Sequence, residues 1–415
     1  MFLLGLGGVV VLGQNIFSGY VERPSLFNNK TALTSGFLPA KIPHREKEIW
    51  QITQILAPLL KGYSANNIFI YGTCGTGKTI CSRFVVKQLE EIAKAHKREI
   101  NTIYINCKMK RVADTEYRLF AQLLREFGDV IPDTGLPTDV LYRRFFTHVD
   151  KKEQSIVLIL DEIDALVNKV GDEFLYNLTR ANDELKQSKL NIIGITNDLS
   201  FRDNLDMRVK SSLSEEELLF RPYNALEIKN ILEERVAEGF FAGAVSESVI
   251  NKCAAIAAQE HGDARRALDL LRVAGEIAER SGDTKITDEH VDIAEEKLDV
   301  DRVTETIKTQ PRQSQAVLYS IIKMNETQKH NKSWTDKRIL TGDVFHSYEK
   351  VCANTGMKML TQRRISDLIA ELDMLGIISA KVISKGRYGR TREISLSLSE
   401  QLLERVNSFL SGRFL

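Results

Sequence analysis

The stretch GTCGTGKT, residues 72–79, constrains this chain more than any other feature. A short β-favouring run, NIFIY, precedes it, and an amphipathic helical pattern follows it through residues 84–92. A glycine-rich loop between a strand and a helix binds phosphate, because its backbone N–H groups and the helix N-terminus attract anions. We therefore predict a site for ATP or ADP in which Lys78 reaches the β and γ phosphates and Thr79 ligates Mg²⁺, a chance glycine turn being the weaker alternative. The loop residues predicted to contact the nucleotide are Gly72, Thr73, Cys74, Gly75, Thr76, Gly77, Lys78, Thr79 and Ile80.

Two further strand-like runs end in polar residues. The run IVLILD ends at Asp161, which can hold the Mg²⁺ shell, and Glu162 follows, which can orient and polarise an attacking water. Alternatively, these acids only interact with the dipole of a helix N-terminus. The run IIGIT is followed by Asn197, at the strand end where parallel sheets bind ligands. We predict that Asn197 contacts the γ-phosphate or the water, the alternative being a simple turn.

The order of the apolar runs predicts the fold class. Continuous apolar strands that alternate with helical patterns indicate an α/β domain whose parallel sheet is covered on both faces. Strand-like runs beyond the loop lie at 102–106, 156–161, 191–196 and, as a plausible fifth, 216–224. From 225 to 298 the pattern is only helical. After 300, helical patterns near 312–324, 342–354 and 361–375 are followed by two alternating runs, IISAKVI and TREISLSL. We predict a tail at 1–28 and domains at 29–224, 225–300 and 301–415.

The charge is distributed unevenly along the chain. The net charge is only +1, but residues 301–415 hold 19 Lys and Arg against 12 Asp and Glu, a net charge of +7, which leaves −6 for residues 1–300. A basic C-terminal module on a mildly acidic body indicates a polyanionic partner for that module. Its cations concentrate in the turn SKGRYGRTRE, for which a solvated hairpin tip is the alternative.

The cysteines and the N-terminus narrow the class of protein. Five scattered cysteines without a C-x-x-C pair argue against a disulfide framework or a zinc site and fit a reducing cytosol. The apolar stretch 2–13 is too short to span a bilayer and lacks a basic n-region, so we expect a disordered or loosely packed tail. We predict a cytoplasmic, nucleoid-associated protein without a membrane partner.

Five segments together resemble one protein family. YGTCGTGKT, VLILDEIDAL, IGITND, RVKSSLSEEEL and EHGDARRALDLLRVAGEIAE occur in the order found in the archaeal replication initiators, which are AAA+ ATPases related to eukaryotic origin-recognition and helicase-loading proteins. The resemblance runs from about residue 30 to the end. It implies an AAA+ domain, a helical lid and a winged helix. It also implies slow Mg²⁺-dependent ATP hydrolysis, sequence-specific binding of double-stranded origin DNA, assembly with other initiator subunits on adjacent sites, and contact with the replicative helicase.

The resemblance implies roles for three kinds of residue around the nucleotide. HGDARRAL resembles the sensor-two motif, so Arg265 contacts the γ-phosphate from the lid, with Arg266 as the less favoured alternative. LDMRVKSSL resembles the box that carries an arginine finger, which makes Arg208 the candidate for contact with a neighbour's nucleotide. Met207 stands where the family has proline, and an intramolecular salt bridge is the alternative for Arg208. The residues that the resemblance places against adenine are Ile42, Pro43 and Arg45, and Tyr223 is a further predicted contact of the nucleotide.

The resemblance also implies contacts with DNA. The stretch 111–145 resembles an initiator-specific helical wedge, in which Arg118 is the candidate contact, an ordinary crossover helix being the alternative. TQRRISDLIAELDMLG resembles a recognition helix that Thr361 caps and that buries Ile365, Leu368, Ile369 and Leu372. The turn near 385–392 resembles a wing whose arginines suit the minor groove. The predicted DNA contacts of the winged helix are Gln362, Arg363, Arg364, Ser366, Lys385, Gly386, Arg387, Tyr388, Arg390 and Arg392.

Three alternative functions stay open at this point. A winged helix can bind protein instead of DNA. A clamp-loader-type AAA+ ATPase lacks sequence preference and has a C-terminal helical collar, which the two alternating runs after residue 376 disfavour. An ATP-gated transcription regulator is compatible with the residue types, although the stretch 111–145 favours an initiator.

Overall fold

The protein is described here by a computed structural model that covers residues 25–108, 115–132, 135–213, 215–330, 338–384, 390–398 and 400–414. The chain divides into two compact units, residues 1–294 and 295–415. In these described ranges, no helix is both long enough and apolar enough to cross a membrane.

The first unit is built on a five-stranded parallel sheet with the order β2-β3-β4-β1-β5. Its strands are β1 (Asn67–Tyr71), β2 (Ile100–Asn106), β3 (Ser155–Asp161), β4 (Lys189–Thr196) and β5 (Glu215–Leu219). The last residues of neighbouring strands are paired, Asn106 with Asp161 and Tyr71 with Thr196, so these strands end at one level. This edge therefore collects the loops that follow β1, β3 and β4.

Helices cover both faces of this sheet. Successive residues of β3 alternate between two apolar clusters: Leu158 packs in one cluster, and Val157 and Ile159 pack in the other. The helices of the first unit are α1 (Glu46–Leu56), α2 (Lys78–Ala95), α3 (Glu116–Glu126), α4 (Thr138–Val149), α5 (Ile163–Val170), α6 (Glu173–Thr179), α7 (Ala181–Glu184), α8 (Met207–Ser212), α9 (Ala225–Gly239), α10 (Glu247–Gln259) and α11 (Ala264–Ser281). The predicted α/β class with a covered parallel sheet is confirmed.

The fifth strand is shorter than the sequence pattern predicted. It ends at Leu219 instead of continuing to residue 224. Pro222 lies in the missing part, and proline cannot donate the N–H that a sheet ladder needs. The chain turns there into α9, which begins with a capping box formed by Asn224 and Glu227.

Two helices lie between β2 and β3, in the stretch that resembles the initiator-specific wedge. Helix α3 is capped by the Thr115 side chain, which accepts a hydrogen bond from the Arg118 N–H. Helices α3 and α4 pack through aromatic side chains, with the ring centroids of Phe120 and Tyr142 3.9 Å apart and those of Phe120 and Phe145 5.6 Å apart. The described part of the stretch is therefore a packed helical pair.

The second unit is a winged helix. Its helices are α13 (Arg312–His330), α14 (Thr341–Thr355), α15 (Gln362–Met374) and α16 (Glu400–Phe414), and helix α12 (Asp288–Thr309) precedes them and contains the point at which the two units divide. The strands β6 (Ile339–Leu340), β7 (Ile378–Ser384) and β8 (Arg390–Leu396) form a sheet with the order β6-β8-β7. The sequence pattern missed α16, which buries Leu402, Val406 and Leu410 on one face.

The predicted recognition helix is confirmed in its cap and its buried face. Thr361 accepts a hydrogen bond from the Arg364 N–H, and the apolar stripe at residues 365, 368, 369 and 372 is buried. Winged helices use this helix to contact DNA with their other face.

Candidate nucleotide site

The ends of three strands and the first helix of the loop meet at one cavity of about 330 Å³. Lys78 and Thr79 open α2 after β1, Asp161 ends β3 and Glu162 follows it, and Asn197 follows β4. All five residues line the cavity. The structure therefore brings together the side chains that the separate motifs predicted.

The loop glycines lie where any other residue would collide with a neighbouring element. Gly75 has a φ of 71°, and a Cβ added there would lie 1.7 Å from Oδ1 of Asp263 at the start of α11. Gly77 has a φ of 91°, and its Cβ would lie 2.7 Å from the Tyr223 hydroxyl. The Ala264 N–H also donates to the Gly75 carbonyl over 3.3 Å. The helical lid is thus seated directly on the loop.

The Lys78 ammonium is held by three oxygens. Its Nζ donates to the carbonyls of Gly72 and Thr73 over 2.8 and 2.7 Å, and to Oδ1 of Asn197 over 2.8 Å. Burial lowers the pKa of Lys78, and the nearby Arg265 guanidinium lowers it further. Phosphate oxygens would satisfy the same ammonium, so Lys78 is already placed for contact with a polyphosphate.

A hydroxyl and a carboxylate form an oxygen pair that fits Mg²⁺. The Thr79 hydroxyl donates to Oδ2 of Asp161 over 2.8 Å. Two neighbouring ligands of an octahedral Mg²⁺ lie about 2.9 Å apart, because each lies about 2.0–2.1 Å from the ion. Both oxygens are of the hard type that Mg²⁺ prefers. Thr79 and Asp161 are therefore suited in type and spacing to hold this ion.

Sequence reasoning missed Tyr104, which belongs to the same group. Its hydroxyl also donates to Oδ2 of Asp161, over 2.8 Å, and its ring lines the cavity. Burial and the adjacent Asp161 carboxylate raise the pKa of Tyr104. The only available signal was its position two residues before Asn106, the residue of β2 that the parallel register pairs with Asp161.

Glu162 lies in an unusual backbone conformation. Its φ of 56° and ψ of 46° are left-handed, which a residue with a side chain adopts at a cost of about 1–3 kcal/mol. Its side chain is 25% exposed, and Oε1 lies 3.9 Å from Nζ of Lys108. The other acid of the motif, Asp164, instead accepts a hydrogen bond from the Thr196 hydroxyl and so joins β3 to β4. Of these two acids, Glu162 is the one that lines the cavity, and its action on a water stays a prediction.

The lid presents Arg265 to the cavity and turns Arg266 away. Arg265 lines the cavity, with Nη1 3.8 Å from the Cys74 sulfur. Arg266 pairs with Glu260, its Nε 3.2 Å from Oε2. The geometry favours Arg265 over Arg266, and its contact with the γ-phosphate stays a prediction.

The residues predicted at adenine, together with Tyr223, separate into two groups. Ile42, Pro43 and Tyr223 line the cavity, as does the loop residue Ile80. Arg45 does not, and its predicted direct contact is corrected: it is fully buried, with Nε donating to the Thr76 carbonyl over 3.0 Å and its guanidinium 4.0 Å from the Tyr223 ring centroid. Arg45 supports the loop from behind. Thr76 is also buried outside the cavity, and Gly72 and Thr73 contribute carbonyls to Lys78.

Two predicted residues lie outside this cavity. Arg208 is 81% exposed on α8 and pairs with Asp206, Nε lying 3.1 Å from Oδ1. This pair is the intramolecular salt bridge weighed as the alternative, and the exposure leaves Arg208 accessible to a neighbouring molecule. Arg118 is exposed on the first turn of α3.

The predicted DNA contacts lie in the winged helix. Gln362, Arg363 and Arg364 are exposed on the first turn of α15, and Nη1 and Nη2 of Arg364 lie 3.8 and 3.7 Å from carboxylates of the same helix. Arg392 joins the hairpin to α15, because its Nη1 donates to the Ser366 carbonyl over 2.8 Å. The predicted wing residues Lys385, Gly386, Arg387 and Tyr388 lie outside the described residues, and for Arg390 only the backbone at the start of β8 is described.

Three segments of the chain match domain families. Residues 61–203 match the family described as AAA domain, residues 229–296 match the Cdc6 AAA+ ATPase-type lid domain, and residues 305–406 match the CDC6, C terminal winged helix domain.

The chain is also similar over almost its whole length to proteins from archaea. It is 48% identical over 397 residues to the ORC1-type DNA replication protein of Pyrococcus abyssi, which covers 95% of this chain and 92% of that protein. It is 47% identical over 393 residues to the ORC1-type DNA replication protein 1 of Methanosarcina mazei, and this match covers 95% of this chain and 93% of that protein. Among solved structures, the Aeropyrum pernix ORC1 protein in complex with DNA matches with a TM-score of 0.80 and 39% identity, over 94% of this chain and 99% of that chain.

Proposed function

Because this chain belongs to the ORC1/Cdc6 family of AAA+ DNA replication proteins, we propose that it is an ATP-dependent origin-recognition protein that binds specific double-stranded DNA and initiates replication there. The observation that carries the proposal is the convergence of Lys78, Thr79, Asp161 and Glu162 with Arg265 of the lid at one cavity, in a chain that also has a winged helix.

Each residue at the cavity has a role in ATP hydrolysis under this proposal. Lys78 binds the β and γ phosphates, and Thr79 and Asp161 hold Mg²⁺, which supplies positive charge to the phosphates. Glu162 orients the attacking water and takes up its proton, and Asn197 positions the water or the γ-phosphate. Turnover is slow, because a switch needs a long-lived bound state.

The lid couples the nucleotide to the rest of the molecule. Helix α11 begins against the loop through Asp263 and Ala264 and carries Arg265 on its first turn. Arg265 contacts the γ-phosphate in the ATP state and lacks this partner in the ADP state. A ligand shifts a conformational equilibrium only by its differential contact with the two states, and this arginine supplies such a difference.

DNA binding belongs to the winged helix, residues 301–415 in our domain assignment, with 29–224 as the AAA+ domain and 225–300 as the lid. Arg363 and its exposed neighbours read base edges in the major groove, and the cations near 385–392 contact phosphates and the minor groove. Arg118 is the candidate DNA contact of the wedge. The net charge of +7 on residues 301–415 supports a polyanionic partner for the winged helix.

The partners proposed for the assembled state are further initiator copies on adjacent sites and the replicative helicase. Arg208 reaches the nucleotide of a neighbouring copy, which its exposure permits. The helicase contact rests on the family alone. The winged helix in place of a collar weakens the clamp-loader alternative.

The nucleotide half of the proposal is tested with Lys78→Ala. We expect this variant to lose ATP binding in a fluorescence assay and to keep a cooperative thermal transition, because the lysine contacts the ligand. Lys229→Met is the matched control, since Lys229 lies on lid helix α9, forms an ion pair with Glu247 and does not line the cavity. Equal ATP affinity in Lys78→Ala and the parent protein would contradict a nucleotide site at this cavity.

The replication half is tested on genomic DNA. The parent protein with ATP should protect discrete duplex sites and should recruit the replicative helicase to them. Protected sites that lie at promoters and recruit no helicase would favour the transcription regulator instead.

A further inference from the structure

A second buried arginine of the first unit has no polar partner among the residues that the structure describes. Arg235, near the C-terminal end of α9, is only 6% exposed, and its Nη1 is fully buried without a hydrogen bond. Among the described residues, its guanidinium makes no hydrogen bond and no ion pair, and it lies over the Phe37 ring, 4.9 Å from the centroid. A buried charged group without hydrogen bonds destabilises a folded protein, so this arrangement calls for a partner.

Arg45 shows how the same chain satisfies a buried guanidinium. Its Nε and Nη2 donate to the carbonyls of Thr76 and Arg221, and its Nη1 lies 3.3 Å from Oε1 of Glu48. Arg235 has carboxylates nearby, on Glu234 and Glu238, which favour its charge from a distance without forming an ion pair. The difference indicates that the partner of Arg235 is not one of the described side chains around it.

Arg235 lines the same cavity as Lys78, at a different end. Its ring neighbour Phe37 belongs to the segment 34–39, which lines the cavity together with Ile42 and Pro43. Arg235 also lies ten residues beyond the start of α9, about 15 Å along the helix axis at 1.5 Å per residue. The start of α9 follows Tyr223, whose hydroxyl lies at the loop glycine Gly77.

The two ends of the cavity therefore differ in chemistry. Lys78, Thr79 and Asp161 form the phosphate end, whereas the other end combines apolar side chains with the charged residues Lys41, Glu234 and Arg235. Of these three charged residues, Arg235 is the buried one. A nucleotide whose phosphates lie on the loop extends its nucleoside toward this second end. The acceptors that a nucleoside offers are the ring nitrogens of the base and the ribose oxygens, and a guanidinium is a donor without acceptor capacity.

We propose that Arg235 is a nucleotide-contacting residue whose guanidinium donates a hydrogen bond to a base ring nitrogen or a ribose oxygen. This inference rests on the proposed ATP site and deepens it, because it assigns the recognition of the nucleoside to one side chain of the lid. Nucleotide binding then supplies the partner that the buried Arg235 lacks, so that occupancy stabilises α9 as well as the loop.

The first test replaces Arg235 by methionine, which fills a similar volume without donors. We expect Arg235→Met to weaken ATP and ADP by the same factor, about 10- to 100-fold, the loss that follows from removing a hydrogen bond to a charged donor. Binding of tripolyphosphate, which lacks the nucleoside, should be unchanged. The melting temperature of the nucleotide-free protein should stay the same or rise, because an unpaired buried charge is removed. Lys229→Met, on the same helix, should match the parent protein in every affinity.

The second test identifies the acceptor atom of the nucleotide by a thermodynamic cycle, in which substitutions of Arg235 are combined with ATP analogues that each lack one acceptor. ATP, 1-deaza-ATP, 3-deaza-ATP, 7-deaza-ATP, 2′-deoxy-ATP and 3′-deoxy-ATP are titrated into the parent protein, Arg235→Met and Arg235→Lys, the last of which keeps the buried cation. One analogue should bind the parent much more weakly than ATP does and should lose most of this difference in Arg235→Met.

Three results would overturn the inference: ATP affinity in Arg235→Met equal to that of the parent, an equal loss for tripolyphosphate, or no analogue coupled to the substitution in either variant. These results differ from a failure of the proposed function. If the parent protein binds no ATP and Lys78→Ala changes nothing, the nucleotide site itself is absent. If the parent binds ATP and Lys78→Ala abolishes binding while Arg235→Met does not weaken it, only the role of Arg235 is lost.

Discussion

At the scale of single residues, Glu162 separates binding from hydrolysis. We expect Glu162→Gln to keep ATP affinity within a few-fold of the parent and to lower single-turnover hydrolysis by about 10²–10⁴-fold, the usual contribution of a positioned general base. The reason is that Lys78, Thr79 and Asp161 hold the nucleotide while Glu162 acts only on the water. Affinity and turnover lost by the same factor would make Glu162 a structural residue.

Lys78 predicts how ATP affinity depends on pH. Burial lowers the pKa of Lys78 in the free protein below its ordinary value of about 10.4, and bound phosphates raise it again. Between these two pKa values binding takes up a proton, so the Kd for ATP should rise with pH by up to about tenfold per pH unit. Titrations across the alkaline range measure this slope.

Lys78→Arg is the control for this pH dependence, because arginine stays protonated throughout that range. Its ATP affinity should be nearly flat with pH, whatever its absolute value. A parent protein with the same flat profile would show that Lys78 does not lose its proton in the free state.

Cavity residues that belong to a motif with regular spacing could be predicted from the sequence. Cavity residues whose position depends on tertiary packing could not. Lys78, Asp161 and Glu162 follow from the loop and from the strand end. Tyr104 and Arg235 carry no such signal, because their positions depend on which elements pack beside them. Arg45 was assigned to adenine because its segment resembles the one that contacts adenine in the family, whereas the fold buries it behind the loop.

At the scale of elements, the contact between the loop and lid helix α11 can be tested through Gly75. In Gly75→Ala the new Cβ would lie 1.7 Å from Oδ1 of Asp263, which caps α11, so the cap must move. Gly282→Ala is the matched control, since Gly282, at the end of α11, has a φ of 83° and a ψ of 17° with open space around it. We expect Gly282→Ala to lower the free energy of unfolding by about 1–2 kcal/mol. Gly75→Ala should lower the free energy of unfolding by at least about 1 kcal/mol more than the control does. It should also weaken ATP binding.

Urea unfolding of the two variants measures the difference. Equal losses of unfolding free energy, with ATP affinity unchanged in Gly75→Ala, would mean that the lid is not seated on the loop in solution.

Elements with strong periodicity were predictable, and their ends were not. Strands β3 and β4 lie where continuous apolar runs placed them, because both faces of these inner strands are buried. Strand β2 lies at the edge of the sheet, and its residues alternate between buried and exposed. The end of β5 was set by Pro222 and by the cap of α9, which the apolar pattern does not contain. Helix α16 was missed because its buried stripe becomes informative only when the rest of the winged helix offers a face to cover.

At the scale of the whole molecule, we propose that one chain combines an ATP-binding unit with a basic winged helix that binds DNA. The fold class and the family were predictable from the ordered motifs, whereas the sequence of the DNA site is not contained in the residue types. Electrostatic contacts with phosphate bind any duplex, and specificity needs contacts with base edges. The central claim is therefore that DNA affinity depends on sequence through the exposed first turn of α15.

The most direct test is the affinity of the ATP-bound protein for a duplex selected from its own genome and for a scrambled duplex, measured against salt concentration. We expect the parent protein to prefer the selected duplex and Arg363→Ala to lose about 1–3 kcal/mol of binding free energy on it, with little loss on the scrambled duplex. Arg405→Ala, which removes one exposed cation from α16, should leave the preference intact. No preference in the parent protein, or an equal loss on both duplexes in Arg363→Ala, would contradict sequence-specific origin recognition by this helix.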